Sequence, residues 1–216
     1  RKPDPIVPKP LIVEVGERVD YKGAVITPLD EEEAIRAVKT LLEKGVEAIS
    51  IALLWSLRNP AHEQILCKIA GELSPETYVN ASSTLAPVLG EYERTATAVI
   101  DAFVGPSTVN YIHRLAERLH EAGLRSALQI LQAGGGVSRA EHVVPVHTIE
   151  SGPAAGILAS HFLAEKLGFR NVIAADVGGT TFKVGLIVDG EWTYARDTVV
   201  EKFTYRVPMV DVTSIG

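Results

Sequence analysis

One cysteine in 216 residues, Cys67, rules out a disulfide framework within the chain. No apolar run is long enough to cross a bilayer, and the opening residues do not read as a secretory leader, so the cytoplasm is the expected compartment. Basic residues are not in excess. Twenty-one Lys and Arg against 27 Asp and Glu leave a formal charge of −6, which argues against nucleic acid or an anionic membrane surface as partner. Internal repeats and low-complexity segments are missing as well. The six histidines form no ligand constellation. His113 and His120 lie two helical turns apart, about 10 Å at 1.5 Å per residue, and His142 and His147 straddle a proline. A transition metal held by this chain is therefore not expected. What remains is an ordinary globular composition, 46% hydrophobic and 22% charged, with room for one large or two small domains. Both ends, Arg-Lys-Pro-Asp-Pro without Met and Thr213-Ser214-Ile215-Gly216, read as cut from something longer.

The most informative stretch is Asn171 to Glu191, NVIAADVGGTTFKVGLIVDGE. An apolar run reaches Asp176, breaks at Gly178-Gly179-Thr180-Thr181, and resumes at Phe182 to Val188 before Asp189-Gly190. Val/Ile-rich runs bounded by Gly and Asp-Gly predict two short strands joined by a turn, with a second hairpin turn after them. A P-loop and a dinucleotide fingerprint both need a helix after the glycines, and here a strand follows. A carboxylate at a strand end, beside a turn of free amides and hydroxyls, suits a phosphate and its magnesium. The turn bonds phosphate oxygens, and the acid holds a metal-bound water. An ordinary glycine hairpin with a surface Asp is the plainer alternative.

Residues 1–10 hold four prolines and read as an extended lead-in. Short strands are expected at Leu11 to Val15 and Tyr21 to Ile26. Asp30 starts a helix whose capping box is completed by Glu33, whose apolar face is Ile35, Val38, Leu41 and Leu42, and which Gly45 ends. Val46 to Trp55 reads as a strand buried on both faces. A helix follows Asn59-Pro60 with Ile65, Leu66, Ile69 and Leu73, then a strand at Thr77 to Ala81. Two helices, Glu91 to Val104 and Pro106 to Ala122, are expected to break at Gly105-Pro106. Ser126 to Gln132 is a strand. Gly134-Gly135-Gly136 is a loop able to approach a ligand closely, or a plain structural turn. Ser138 is a candidate cap for a short helix before Pro145. Pro153 suits the first turn of a helix that runs to Leu167 and stops at Gly168, its small residues allowing close packing. This alternation predicts an α/β fold.

Two motifs stand in tandem, E-S-G-P-A-A-G-I-L-A-S-H and I-A-A-D-V-G-G-T-T-F-K-V-G-L. Their order resembles the nucleotide site of the actin, sugar kinase and heat-shock ATPase superfamily, in which an Ala-rich connecting helix precedes the second phosphate-binding hairpin. Within it the chain resembles the hydantoinase A and 5-oxoprolinase family, which includes subunits of acetone and acetophenone carboxylases. R-V-D-Y-K-G at 18–23, N-P-x-H-E from Asn59 to Glu63, E-Y-E-R-T-A-T at 91–97 and the terminal V-T-S-I-G carry that likeness along the chain.

The resemblance implies an actin/ribonuclease H-like nucleotide-binding lobe, a mixed sheet flanked by helices, as a fragment of a larger two-lobed subunit that is inactive alone. Residues 1–28 would be lead-in and short strands. Residues 29–216 would be a partial ATPase domain, with the connecting helix at 151–167 and the second phosphate hairpin at 171–190. ATP and Mg²⁺ are the implied cofactors. Asp176 would orient the magnesium-bound water, while Gly178, Gly179, Thr180 and Thr181 would cradle phosphate. Gly152, Pro153 and Gly156 would couple nucleotide state to lobe closure, and Gly135 would face the nucleotide. Family members often carry Asp where this chain has Lys183, which would either contact phosphate as a point charge or point to solvent. Arg94 would grip a carboxylate or phosphate, or sit as a solvated or salt-bridged helix residue. Cys67 would be packing, and His62 helix-start chemistry. The implied activity is ATP-dependent activation of a carbonyl or amide substrate, for ring hydrolysis of a hydantoin or oxoproline or for ketone carboxylation. A hydantoinase B-type subunit is the implied partner within an oligomer. A non-catalytic nucleotide switch and a small-molecule kinase are the competing readings.

Overall fold

Asp30 shows how local chemistry sets the first long helix. Its carboxylate accepts the amides of Glu32 and Glu33 at 2.9 and 3.2 Å, and three acids follow in the first turn. The reciprocal half of the expected capping box is not made, because the Glu33 carboxylate accepts the amide of Gly16 at 3.0 Å instead. The computed structural model describes residues 4–215. Residues 1–3 of the proline-rich lead-in and Gly216 of V-T-S-I-G lie outside the described residues.

The chain divides into two compact units, one formed by residues up to Ser107 with Val199–Arg206, the other by Thr108–Thr198 with the residues from Val207 on. The division falls inside the span 29–216.

In the first unit, β1 (Arg18–Val19) and β2 (Val25–Thr27) form an antiparallel pair. The expected strand at Tyr21 to Ile26 is interrupted because the Asp20 carboxylate accepts the amides of Lys22 and Ala24, at 2.8 and 2.9 Å, and folds those residues into a turn. The strand expected at Leu11 to Val15 is absent. A 3₁₀ turn at Lys9–Leu11 opens the segment and takes up the amides of Leu11 and Ile12, which donate to the carbonyls of Pro8 and Lys9. Helix α1 (Glu31–Leu42), strand β3 (Ala48–Ile51), helix α2 (Ala61–Leu73) and strand β4 (Tyr78–Ala81) follow in the expected order, with β3 and β4 parallel. Strand β3 is shorter than the run Val46 to Trp55. It buries alternate residues only, with Ile49 and Ile51 against Val38, Leu66, Ile69 and Ala70 of the helices. A short helix α3 (Ser82–Leu85) follows, and β10 (Thr198–Val200) pairs with β11 (Phe203–Tyr205).

Helix α4 (Glu91–Glu121) is one helix, where the sequence predicts two. An interior proline removes one helical N–H, but packing overrides the propensity here. Gly105 sits so close to the Tyr78 ring that a Cβ would come within 2.6 Å of it.

A polar cluster lies inside the first unit. Glu63 is fully buried, and its two carboxylate oxygens accept four donors: the amides of Leu53 and Ser83 and the hydroxyls of Ser82 and Ser83, all between 2.6 and 2.9 Å. Arg94, 1% exposed, donates to the hydroxyls of Ser56 and Ser82 and to the Leu53 carbonyl, with its guanidinium 3.8 Å from Glu63. His62 meets Glu17 at 2.7 Å. The cluster ties together the segments that leave the carboxyl ends of β3 and β4.

In the second unit, β5 (Gln129–Leu131) and β6 (Val137–Arg139) form a hairpin whose turn carries Gly134 to Gly136. Ser138 is paired in β6 rather than capping a helix, and 3₁₀ turns at Ala140–His142 and Pro145–Thr148 occupy the following segment. Helix α5 spans Ser151–Leu167 and ends at Gly168, whose φ of 79° is the left-handed cap conformation glycine adopts freely. Strands β7 (Val172–Val177), β8 (Phe182–Val188) and β9 (Glu191–Trp192) and the last strand, β12 (Thr213–Ile215), make one antiparallel sheet. Asp189 and Gly190, both at positive φ, form the predicted second turn, between β8 and β9.

Helix α5 covers one face of that sheet, through Ala154 and Ile157 on Ala174 and Ile187. By strand alternation the other face carries Ile173 and Val177 with Leu186, Val188 and Ile215, all more than half exposed.

Candidate functional site

The β7–β8 hairpin is built as its sequence predicts. Asp176 pairs with Lys183 and Val177 with Phe182 across the strands. The turn closes with the Gly178 amide donating to the Thr181 carbonyl at 2.9 Å. It is exposed, and a strand rather than a helix follows it. A Cβ on Gly179 would meet nothing within 4 Å, so the backbone there is open to a close approach.

Asp176 and Lys183 share the sheet face turned toward α5. Between that face and the helix lies a cavity of about 200 Å³, lined by Pro153, Gly156, Ser160, Asp176, Lys183 and Val212 among others. Asp176 is exposed, and its carboxylate has no hydrogen-bond or ion-pair partner among the described residues. The Lys183 ammonium stands 3.5 Å from the carboxylate of Glu150, the residue before α5. The site therefore brings together one free acid, one acid–lysine pair and a largely apolar wall from a small-residue helix, with Ser160 its one hydroxyl.

The other candidates fall in three places. Gly178, Gly179, Thr180 and Thr181 form the turn beyond the cavity. Gly152 and Gly156 sit on α5 with open space where a Cβ would project, and Gly156 lines the cavity. Their smallness is not what seats α5 on its sheet. That role belongs to Gly185, where a Cβ would come within 1.9 Å of Ile157 Cδ1. Gly135, at φ 85°, lies in the β5–β6 turn against Leu158 and does not line the cavity. Arg94 and Glu63 belong to the buried cluster of the first unit.

Sequence reasoning missed Glu150 and Gly185. The sequence hint for Glu150 was its place immediately before the S-G-P-A-A-G run. Gly185 carries no local signal, because its need arises only from the helix that crosses it.

The geometry defines an α/β protein in which a glycine-threonine hairpin carrying an acid and a lysine faces a small-residue helix. The sequence matches the hydantoinase/oxoprolinase profile over residues 94–216 and the hydantoinase/oxoprolinase N-terminal region over residues 2–74. The chain belongs to the hydantoinase/oxoprolinase family. It is 37% identical to the acetophenone carboxylase gamma subunit of Aromatoleum aromaticum, covering 100% of this chain and 30% of that one. It is 33% identical to the caprolactamase subunit alpha of Pseudomonas jessenii, over 98% of this chain and 31% of the relative. Among solved structures, nucleotide-free acetone carboxylase, from work on ATP-dependent acetone carboxylation, superposes with a TM-score of 0.89 at 31% identity, covering 100% of this chain and 31% of that one. The chain thus spans about 30% of the length of the relatives it matches.

Proposed function

We propose that the chain is part of an ATP- and Mg²⁺-dependent enzyme subunit with an actin-like nucleotide site, which activates a carbonyl or amide substrate by phosphoryl transfer. The outcome is hydrolysis of a lactam or hydantoin-type ring or carboxylation of a ketone. One observation carries the reading. The partnerless carboxylate of Asp176 faces a cavity at the end of a hairpin whose turn offers exposed amides and two threonine hydroxyls. In a family whose relatives include an ATP-dependent carboxylase, that donor set fits a phosphate tail and its cation.

Asp176 would hold a water of the magnesium shell. Gly179 to Thr181 would bond phosphate oxygens, Gly178 would hold the turn closed through its amide, and Lys183 would add a point charge. Bound Mg²⁺ would neutralise the charge of the transferring phosphoryl group. The chain's own residues contribute position. A turn fixed by its internal bond and an acid fixed on a strand end keep their places as charge develops, which is how a preorganised site lowers a barrier. Gly135 has the weaker claim to the nucleotide, since its neighbours are those of a packed turn. The relatives include a gamma, an alpha and a beta subunit, which supports a multi-subunit assembly; a hydantoinase B-type subunit is the partner we propose for it.

ATP hydrolysis by the full-length protein tests the reading, with and without 5-oxoproline, hydantoin, caprolactam, or acetone or acetophenone with bicarbonate. Stimulation by at least one substrate is expected. Indifference to all of them would favour a nucleotide switch and overturn the enzyme reading.

A further inference from the structure

Glu150 occupies the N-cap position of α5 with φ 60° and ψ 20°, a left-handed conformation disfavoured for any residue with a Cβ. It makes no side-chain bond to the helix it starts. Its carboxylate reaches across to the Lys183 ammonium on β8 instead. Lys183 has a second acid directly opposite it, Asp176, yet pairs with Glu150 and leaves Asp176 free. A strained backbone that delivers one acid to the lysine of an open cavity calls for a functional explanation.

We propose that Glu150 is a latch on Lys183. In the ligand-free protein it neutralises the ammonium and keeps it from Asp176. An arriving polyphosphate then displaces Glu150 and takes Lys183 over, while Asp176 remains available to the cation. This rests on the nucleotide reading of the same cavity. The sign follows from the geometry of the pair. Its side chains are 50% and 23% exposed and the charges stand 3.5 Å apart, so the pair is solvated, weak and exchangeable. A phosphate bearing more than one negative charge outcompetes a single carboxylate for such a partner. Glu150 is thus a positioning residue that sets affinity, and Lys183 is the group that touches the ligand.

The test is calorimetric titration of the full-length protein with MgATP and, separately, with inorganic tripolyphosphate. Glu150→Gln is expected to tighten both about two- to fivefold, the range of an exposed ion pair. Glu150→Gly should do the same and raise the melting temperature, because glycine adopts this backbone freely, so loss of fold cannot mask the result. Lys183→Gln should weaken both ligands and erase the gain from Glu150→Gln in the double variant. A wild-type protein that binds MgATP with an affinity Glu150→Gln leaves unchanged or weakens would overturn the latch and leave the nucleotide reading standing. A wild-type protein that binds neither ligand would overturn both.

Discussion

At the scale of single residues, Arg94 shows that a pairing can be foreseen while its burial is not. An arginine in E-Y-E-R-T reads either as a grip on a carboxylate or phosphate or as a solvated or salt-bridged helix residue, and it is salt-bridged but buried, against Glu63 and the segments holding Leu53, Ser56 and Ser82. Nothing local signals this, because its partners come from residues 53, 56 and 82, which only the fold gathers. Removing one member of a buried pair leaves the other uncompensated. Arg94→Met is therefore expected to lower unfolding stability by about 3–5 kcal/mol, read from urea denaturation. Asp176→Ala should behave in the opposite way. Its carboxylate is exposed and partnerless, so the melting temperature should hardly move while turnover of the full-length protein falls about 10²- to 10³-fold, the scale seen when a charge-stabilising group is lost. Normal turnover would remove Asp176 from the site.

Cys67 adds a pH dependence. Burial, then the charge of Glu63, pushes its thiol from 9.0 up to about 11. The folded protein therefore holds this proton more firmly than the unfolded chain. That contribution is complete below pH 9.0 and drains away as the pH rises toward 11. Tyr78 acts in the same direction, raised by burial and then by its hydrogen bond to Asp101. Urea midpoints should fall across this alkaline window. At neutral pH Cys67 should alkylate far more slowly in the native protein than after unfolding.

At the scale of elements, the strongly punctuated pieces were legible. Helix α1 with its Asp30 cap, helix α5 between Pro153 and Gly168, and the β7–turn–β8 hairpin all carry their start and stop signals in sequence. What could not be read was how pieces constrain one another. Pro106 suggests a break, but Gly105 under Tyr78 belongs to a continuous helix. Glu33 suggests a capping box, but Gly16 claims its carboxylate. The seating of α5 gives a direct check. Gly185→Ala puts a methyl into Ile157 and should cost about 1–3 kcal/mol by overpacking. Ile157→Val in the same chain should recover part of that loss by vacating the methyl the new Cβ meets. Thermal melts of the single and double variants would measure the coupling, and additive losses would show that the contact is not responsible.

At the scale of the whole molecule, the chain spans about 30% of the length of the relatives it matches. Its two units carry different kinds of information. The first holds a buried polar knot that specifies its packing. The second holds the free acid, the lysine and the turn that make the candidate site. Family membership was legible because its motifs are local, each a few residues on one turn or one helix end, in the first unit (18–23, 59–63, 91–97) as well as the second.

The sheet of the second unit has one further consequence. Its side away from α5 shows Ile173, Val177, Leu186, Val188 and Ile215 to water, a run of exposed apolar side chains on one sheet face. Produced by itself, the 216-residue chain should light up a hydrophobic dye while still folded and should self-associate as its concentration rises. Leu186→Lys should suppress both effects and leave the melting temperature nearly unchanged, since that side chain already spends its time in solvent.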